Sequence, residues 1–174
     1  MPKKGKQLKL QDIRKDESGT YTYQGEMYKF RGDFGAHIKK GWIFTCIIAL
    51  AAVGGGLLPA TGMMDTWYVI IPYAATVGAA GFIVYRMVHW TSGKGELRSY
   101  NYERTARNFG VNIYILLVTS VITLVSETVH LFINGLGEYG KGAIILLICM
   151  TIAFLGGLAL LKHIKSAEWD VRQP

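Results

Sequence analysis

The chain has 174 residues, of which 51% are hydrophobic, and its formal net charge is +7. The apolar residues gather into four blocks instead of forming stripes along amphipathic helices, which argues against a soluble globular domain. The excess of basic residues could indicate a nucleic-acid partner, but these residues flank the apolar blocks. That placement argues against nucleic acid and favours the anionic headgroups of a lipid bilayer as the partner.

The N-terminal segment is basic and polar, and one stretch of it predicts β structure. Within 20–30, aromatic and polar side chains alternate on both sides of Gln24-Gly25, a pattern typical of a small hairpin. Tyr21 would then face Tyr28 across the hairpin. Because an isolated hairpin is only marginally stable in water, we expect it to rest on the bilayer, on the middle loop or on a partner protein. A flexible tyrosine-rich linker is the alternative.

Each apolar block is long enough to cross the hydrocarbon core of a bilayer, which takes roughly 20 residues of helix. The first block is expected to be retained as a helix, since no short apolar core with a cleavage site precedes it. We therefore predict an all-α membrane protein, a four-transmembrane-helix bundle with a small N-terminal cytoplasmic β-hairpin. The predicted parts are a cytoplasmic segment 1–40, a four-helix domain 41–165 with spans 41–58, 67–89, 109–133 and 142–161 and a cytoplasmic loop 90–108, and a cytoplasmic tail 166–174.

The distribution of positive charge predicts the orientation of these spans. Lys and Arg together number 19, and all but one of them lie in the N-terminal segment, around the middle loop or in the tail. The exception is Lys141, which is the single basic residue of the loops 59–66 and 134–141. Because basic residues accumulate on the cytoplasmic side of a membrane, we predict a multi-pass protein of the cell membrane with both termini in the cytoplasm.

Small residues recur at a spacing of four in two of the predicted spans. The pairs are Ala74 with Gly78 in the second span and Ala153 with Gly157 in the fourth. This spacing lets two helices approach each other closely within a membrane. It predicts a compact bundle that could form a homo-oligomer or join a larger membrane complex.

The third span differs from the others because a line of polar residues runs along it. They are spaced by three, four or seven residues and therefore share one face of a helix: Asn112, Thr119, Thr123, Glu127, His130 and Asn134. Strongly polar groups are costly in hydrocarbon, so we expect this face to look into the bundle or a wet cavity.

Glu127 and His130 are the sharpest candidates for chemistry on this face. Glu127 is the only acidic residue within a predicted span, and a side chain three residues away on a helix can meet it. We predict a proton-sharing or transport site, because an imidazole can exchange a proton with a carboxyl group that low-polarity surroundings keep neutral. A di-metal centre would need further carboxylates that the spans lack, so neither a metal nor a cofactor is predicted. A structural hydrogen bond across the bundle is the interpretation that we favour.

The other metal-binding or nucleophilic side chains form no motif. His37, His89 and His163 fall near the cytoplasmic ends of three helices, but the sequence does not indicate that these ends converge. Cys46 and Cys149 lie singly within spans, without a CxxC pair, and are expected to act as small packing residues.

These observations favour a non-enzymatic accessory or scaffold subunit of a membrane complex. The alternative is a small proton-coupled transporter or permeation unit that uses Glu127 and His130, with Asn112, Thr119 and Thr123 along its path. A membrane enzyme is a weaker third hypothesis, because hydrolysis or group transfer needs several polar groups that converge.

Overall fold

The computed structural model describes residues 13–15, 21–23, 26–93, 95–98, 102 and 108–172. Of these, the helices named α1, α3, α4 and α5 below are long and apolar enough to cross a membrane. The prediction of a mostly helical chain with four helices of spanning length is confirmed. The elements in chain order are β1 (Ile13–Lys15), β2 (Tyr21–Tyr23), β3 (Met27–Phe30), α1 (Phe34–Gly54), α2 (Thr61–Asp65), α3 (Trp67–Ser92), β4 (Glu96–Arg98), α4 (Phe109–Asn134), α5 (Gly140–Lys165) and β5 (Trp169–Arg172).

The first and last residues of α1 are determined by a capping side chain and by glycines, which a hydropathy profile does not identify. The helix begins earlier than predicted because the side chain of Asp33 caps it, accepting a hydrogen bond from the backbone N–H of Ala36 at 3.1 Å. It ends in three successive glycines. At Gly56 a β-carbon would collide with the ring of Tyr73, whose hydroxyl donates to the Ala52 carbonyl at 2.9 Å. The glycine therefore lets α3 pack close to the end of α1.

The four long helices form a ring in which α1 and α4 each contact both α3 and α5. Ile48, Ile83 and Ile113 are fully buried within it. Only 28–33% of the most apolar window of each helix is buried, and large side chains such as Leu50 and Phe132 cover the outer surface. A soluble bundle would carry polar residues on its outer surface. The apolar outer surface of this protein therefore favours insertion into a membrane.

The two pairs of small residues lie in opposite environments. Ala153 and Gly157 are buried, and Gly157 lets α5 pack close to Leu116 of α4. Ala74 and Gly78 are exposed on the outer face of α3. The pair on α5 therefore serves packing within the chain, whereas the pair on α3 has no helix packed against it in the described structure.

The predicted pairing within 20–30 is wrong. Both β2 and β3 form, but β2 pairs antiparallel with β1, while β3 is the central strand between β4 and β5. Tyr28 is opposite Leu97 on one side and Val171 on the other, and does not face Tyr21. Both edges of β3 are taken by strands that are distant in sequence, which local alternation of side chains cannot reveal. The predicted turn between β2 and β3 lies outside the described residues.

The three-stranded sheet gathers separate parts of the chain at one end of the bundle. Its strands precede α1, follow α3 and follow α5, respectively. Aromatic contacts fix it to the helices: Phe30 packs edge-on against Trp169 at 5.5 Å and against Phe34 at 5.6 Å between ring centroids. We call this end the sheet end, and the opposite end, with 55–66 and 135–139, the loop end. That the sheet end lies in the cytoplasm stays a prediction.

Candidate functional site at the loop end

The polar line of α4 enters the bundle near the loop end. Thr123 and Glu127 are fully buried, and His130 is 2% exposed. Asn112 and Thr119 are partly buried, and Asn134, the last residue of α4, is exposed. The middle of the line therefore faces protein.

Glu127 is held by the short helix α2, which lies across the loop end. The backbone N–H of Gly62 donates to Oε1 of Glu127 at 3.3 Å. The two groups approach so closely that a β-carbon at Gly62 would collide with the carboxylate, and it would also press on Val69. Only glycine leaves room for Glu127 at this position.

His130 is oriented by a second set of partners. Its Nδ1 lies 3.0 Å from the hydroxyl of Tyr68 and 3.3 Å from the side-chain amide nitrogen of Asn134. An amide nitrogen can only donate, so Nδ1 accepts, and the proton of the neutral ring is then on Nε2. Asn134 also donates to the backbone carbonyl of His130 at 3.3 Å, which ties the last turn of α4 to the imidazole.

One polar atom of each of these residues has no partner in the described part of the chain. These atoms are Oε2 of Glu127 and Nε2 of His130, which lie on adjacent turns of α4. Within the same described residues, no direct hydrogen bond or ion pair joins the two side chains. The carboxylate is turned toward Gly62 and the imidazole toward Tyr68, so a shared proton would have to pass through an intermediary.

The remaining members of the line do not extend this cluster. Thr119 donates to the Ile115 carbonyl at 2.9 Å, and Thr123 donates to the Thr119 carbonyl at 2.9 Å, so both hydroxyls are satisfied within α4. The side-chain nitrogen of Asn112 is buried and has no partner among the described residues. The line is therefore a packed seam with one polar cluster near its end, and not a continuous chain of hydrogen bonds.

Sequence reasoning missed the partners of this cluster, Gly62 and Tyr68. Gly62 lies in α2, in the stretch that joins the first two long helices, and Tyr68 lies at the start of α3. The same stretch is fixed by Thr61, whose hydroxyl donates to the Leu136 carbonyl at 3.1 Å, and by Gly142, which admits the Pro59 carbonyl against α5. The helix α2 has five residues, which is too short to show a hydrophobic period. Gly62 itself was the only feature of this stretch that could indicate a close contact.

Two of the three candidate histidines meet at the sheet end. The rings of His37 and His163 stack with centroids 3.9 Å apart, and Nε2 of His163 lies 2.9 Å from the His37 carbonyl. His89 packs elsewhere, against Tyr85 at 4.6 Å. No cluster of three or more His, Cys, Asp or Glu side chains suited to a metal occurs in the described ranges. Both cysteines are free thiols.

Comparison with models of protein families, with curated proteins and with solved structures finds no match for this chain. Function has to be inferred from the chemistry of the described residues. Two features carry information of this kind: the polar cluster at the loop end and the exposed small residues on α3.

Proposed function

We propose that this chain is a non-enzymatic accessory or scaffold subunit of a membrane complex, and that it meets its partner through the outer face of α3. The observation that carries the proposal is the exposure of the small-residue pair on that face. The sequence alone does not distinguish this pair from the equivalent pair on α5, which packs within the bundle.

The outer face of α3 has the shape that helix association in a membrane requires. A β-carbon built at Gly78 or at Gly81 would meet no heavy atom within 4 Å. These glycines and the rings of Phe82 and Tyr85 line a shallow apolar groove of about 310 Å³. Lipid tails are as apolar as the helix, so association depends on close packing of backbones, which small residues permit. A helix of another subunit or of a second copy fits this groove.

The polar cluster supports a structural role over a catalytic one. Glu127 holds α2 through Gly62, and His130 joins α3 to the end of α4 through Tyr68 and Asn134. These contacts close the loop end of the bundle. They occupy one polar atom of each side chain and fix its orientation, whereas catalysis needs several polar groups that converge on a substrate.

The charge distribution supports the location that we propose, a multi-pass protein of the cell membrane with both termini in the cytoplasm. Lysines and arginines are concentrated in the segments that form or adjoin the sheet end. Anionic lipid headgroups on the cytoplasmic side would then surround the sheet end.

Replacing Gly78 with leucine is expected to reduce association roughly tenfold, the equivalent of about 1.4 kcal/mol, because the new side chain holds the partner helix away. In the described structure a β-carbon at Gly78 meets no heavy atom within 4 Å, so the fold should be unaffected. Association can be measured by replacing Phe82 with a photo-reactive amino acid in the full chain, in its native membrane. The readout is the fraction of the chain that becomes crosslinked to a partner.

The matched control is Val118→Leu, which adds bulk at an exposed position of α4 outside the groove. Its crosslinked fraction should equal that of the unmodified chain. If Gly78→Leu also leaves the fraction unchanged, α3 is not the docking helix.

A proton-coupled transporter or permeation unit is the second candidate, and the unpartnered Oε2 of Glu127 and Nε2 of His130 favour it. These buried atoms could exchange a proton through a water molecule. For this function Glu127→Gln should abolish proton flux. The fold should persist, because the amide oxygen can still accept from Gly62.

Proton flux can be measured with a pH-sensitive dye inside proteoliposomes that contain the full chain under an imposed pH gradient. Glu138→Gln, at an exposed loop position, is the control and should keep the wild-type flux. For a scaffold, Glu127→Gln should instead leave the crosslinking at Phe82 intact. Unchanged flux in Glu127→Gln removes the proton-site hypothesis.

A further inference from the structure

A continuous line of exposed residues runs along the outer face of α3. Successive members of this line are four and three residues apart in alternation, and each of them is exposed: Ile71, Ala75, Gly78, Phe82, Tyr85 and His89. This alternation is the seven-residue repeat by which two helices pack side by side along their length. At about 1.5 Å per residue the line extends over about 27 Å, close to the thickness of the hydrocarbon core.

The groove on this face has the outline of a hole in such a packing. Its lining residues are Gly78, Gly81, Phe82 and Tyr85. In a parallel pair of helices in register, a side chain that follows a spacing of four, as Phe82 follows Gly78, inserts between four residues of the other helix. These are the equivalent residue, the residues four and one before it, and the residue three after it. For Phe82 they are the same four residues that line the groove.

Phe82 also has the exposure and the space that this insertion requires. Its side chain is 64% exposed. Two of the four residues around the hole are glycines, at which a β-carbon would meet no heavy atom within 4 Å, so the hole has room for an aromatic ring. Phe82 is therefore both the side chain that projects and one wall of the hole. A face of this kind is complementary to itself, as a contact across a two-fold axis requires.

Charge and orientation also favour an identical partner. None of the six residues of the line is Lys, Arg, Asp or Glu, so two copies would bring no like charges together along it. Both copies carry the same distribution of basic residues and would therefore insert into the membrane with the same orientation. Their α3 helices would then be parallel, as the packing in register requires.

We propose that α3 binds α3 of a second copy of this chain, as a parallel pair with its two-fold axis along the membrane normal. The inference rests on the function proposed above, in which the outer face of α3 is the docking face, and it identifies the occupant of that face. Phe82 of each copy inserts into the groove of the other, and Gly78 lets the two backbones approach closely.

The test is disulfide crosslinking of single-cysteine variants of the full chain in its native membrane. Cys46 and Cys149 are first replaced with alanine, and one cysteine is then placed at Ala75 or Gly78. These variants should form roughly tenfold more disulfide-linked dimer than Ile70→Cys, because a disulfide needs Cα atoms within about 7 Å of each other. Ile70 is the matched control, since it is exposed on the same helix but lies outside the line.

The photo-crosslink at Phe82 identifies the occupant independently and keeps both native cysteines. A product with twice the mass of one chain, formed also by the purified chain in liposomes, supports the proposal. A product with a different protein, without disulfide-linked dimers at Ala75 or Gly78, would overturn the proposal and leave the docking face in place. Equal yields of dimer at Ile70, Ala75 and Gly78 would indicate random collision and would also overturn it. If neither kind of crosslink forms, the docking face itself is wrong.

Discussion

Replacing Gly142 with alanine is expected to destabilise the protein by about 3 kcal/mol or more, the upper range for overpacking of a buried site. A β-carbon at this position would collide with the carbonyl group of Pro59. Since Pro59 contributes backbone and not a rotatable side chain, the clash can be relieved only by moving the loop or α5. The measurement is the unfolding midpoint of the purified chain in detergent, by heating and by titration with a denaturing detergent.

Gly110→Ala is the control for this prediction. Gly110 occupies a similar position, near the start of a long helix, but a β-carbon added there would lie 3.9 Å from its nearest neighbour, a side-chain atom of Leu161, which is an ordinary contact. The stability of this variant should stay close to that of the unmodified chain or rise slightly, because alanine favours helix. Equal stability of the two variants would contradict the close approach between Pro59 and α5.

The second large effect is expected for Gly62→Ala, at about 1–3 kcal/mol of destabilisation. The added methyl group displaces the carboxylate of Glu127 and breaks its hydrogen bond from the Gly62 N–H. Displacement is costly because the carboxylate is fully buried and has no alternative donor among the described residues. The readout is again the unfolding midpoint in detergent.

A double-mutant cycle tests the mechanism. In a Glu127→Ala background, where no carboxylate remains to be displaced, Gly62→Ala should cost distinctly less, with part of the cost retained through Val69. Gly78→Ala serves as a control, since its β-carbon meets no atom within 4 Å. Additive costs for Gly62 and Glu127 would show that the two residues act independently and that the contact does not hold α2 in place.

Helix number and position were predictable because each span carries its own signal. The block predicted at 142–161 corresponds to α5, Gly140–Lys165, and the block at 109–133 corresponds to α4, Phe109–Asn134. About 20 consecutive apolar residues leave few alternatives to a long helix. The ends of these helices were less predictable, because caps such as Asp33 lie in polar sequence.

The pairing of the strands could not be predicted in the same way. Alternating side chains in 26–30 indicated a strand, but the choice of neighbour depends on β4, which follows α3, and on β5, which follows α5. The neighbouring residues alone predicted a short hairpin between β2 and β3. The structure instead gives β3 two long-range partners, and Trp169 of β5 packs against Phe30.

The sequence predicted which face of α4 carries the candidate site, but not which residues contact it. Helical spacing placed Glu127 and His130 on one side of α4, and both are buried. The same spacing predicted that they could meet each other. In the structure each is taken by a different partner, Gly62 or Tyr68, from a region with no periodic pattern.

The sheet has a consequence for the assembly of the protein during synthesis. Its central strand, β3, is made early, whereas β5 follows the last long helix and is made late. In a membrane the two strands can meet only if an even number of helices has crossed between them, because each crossing moves the chain to the opposite side. A chain in which one helix failed to cross would therefore be expected to leave β3 without β5, with backbone groups of both strands unpaired.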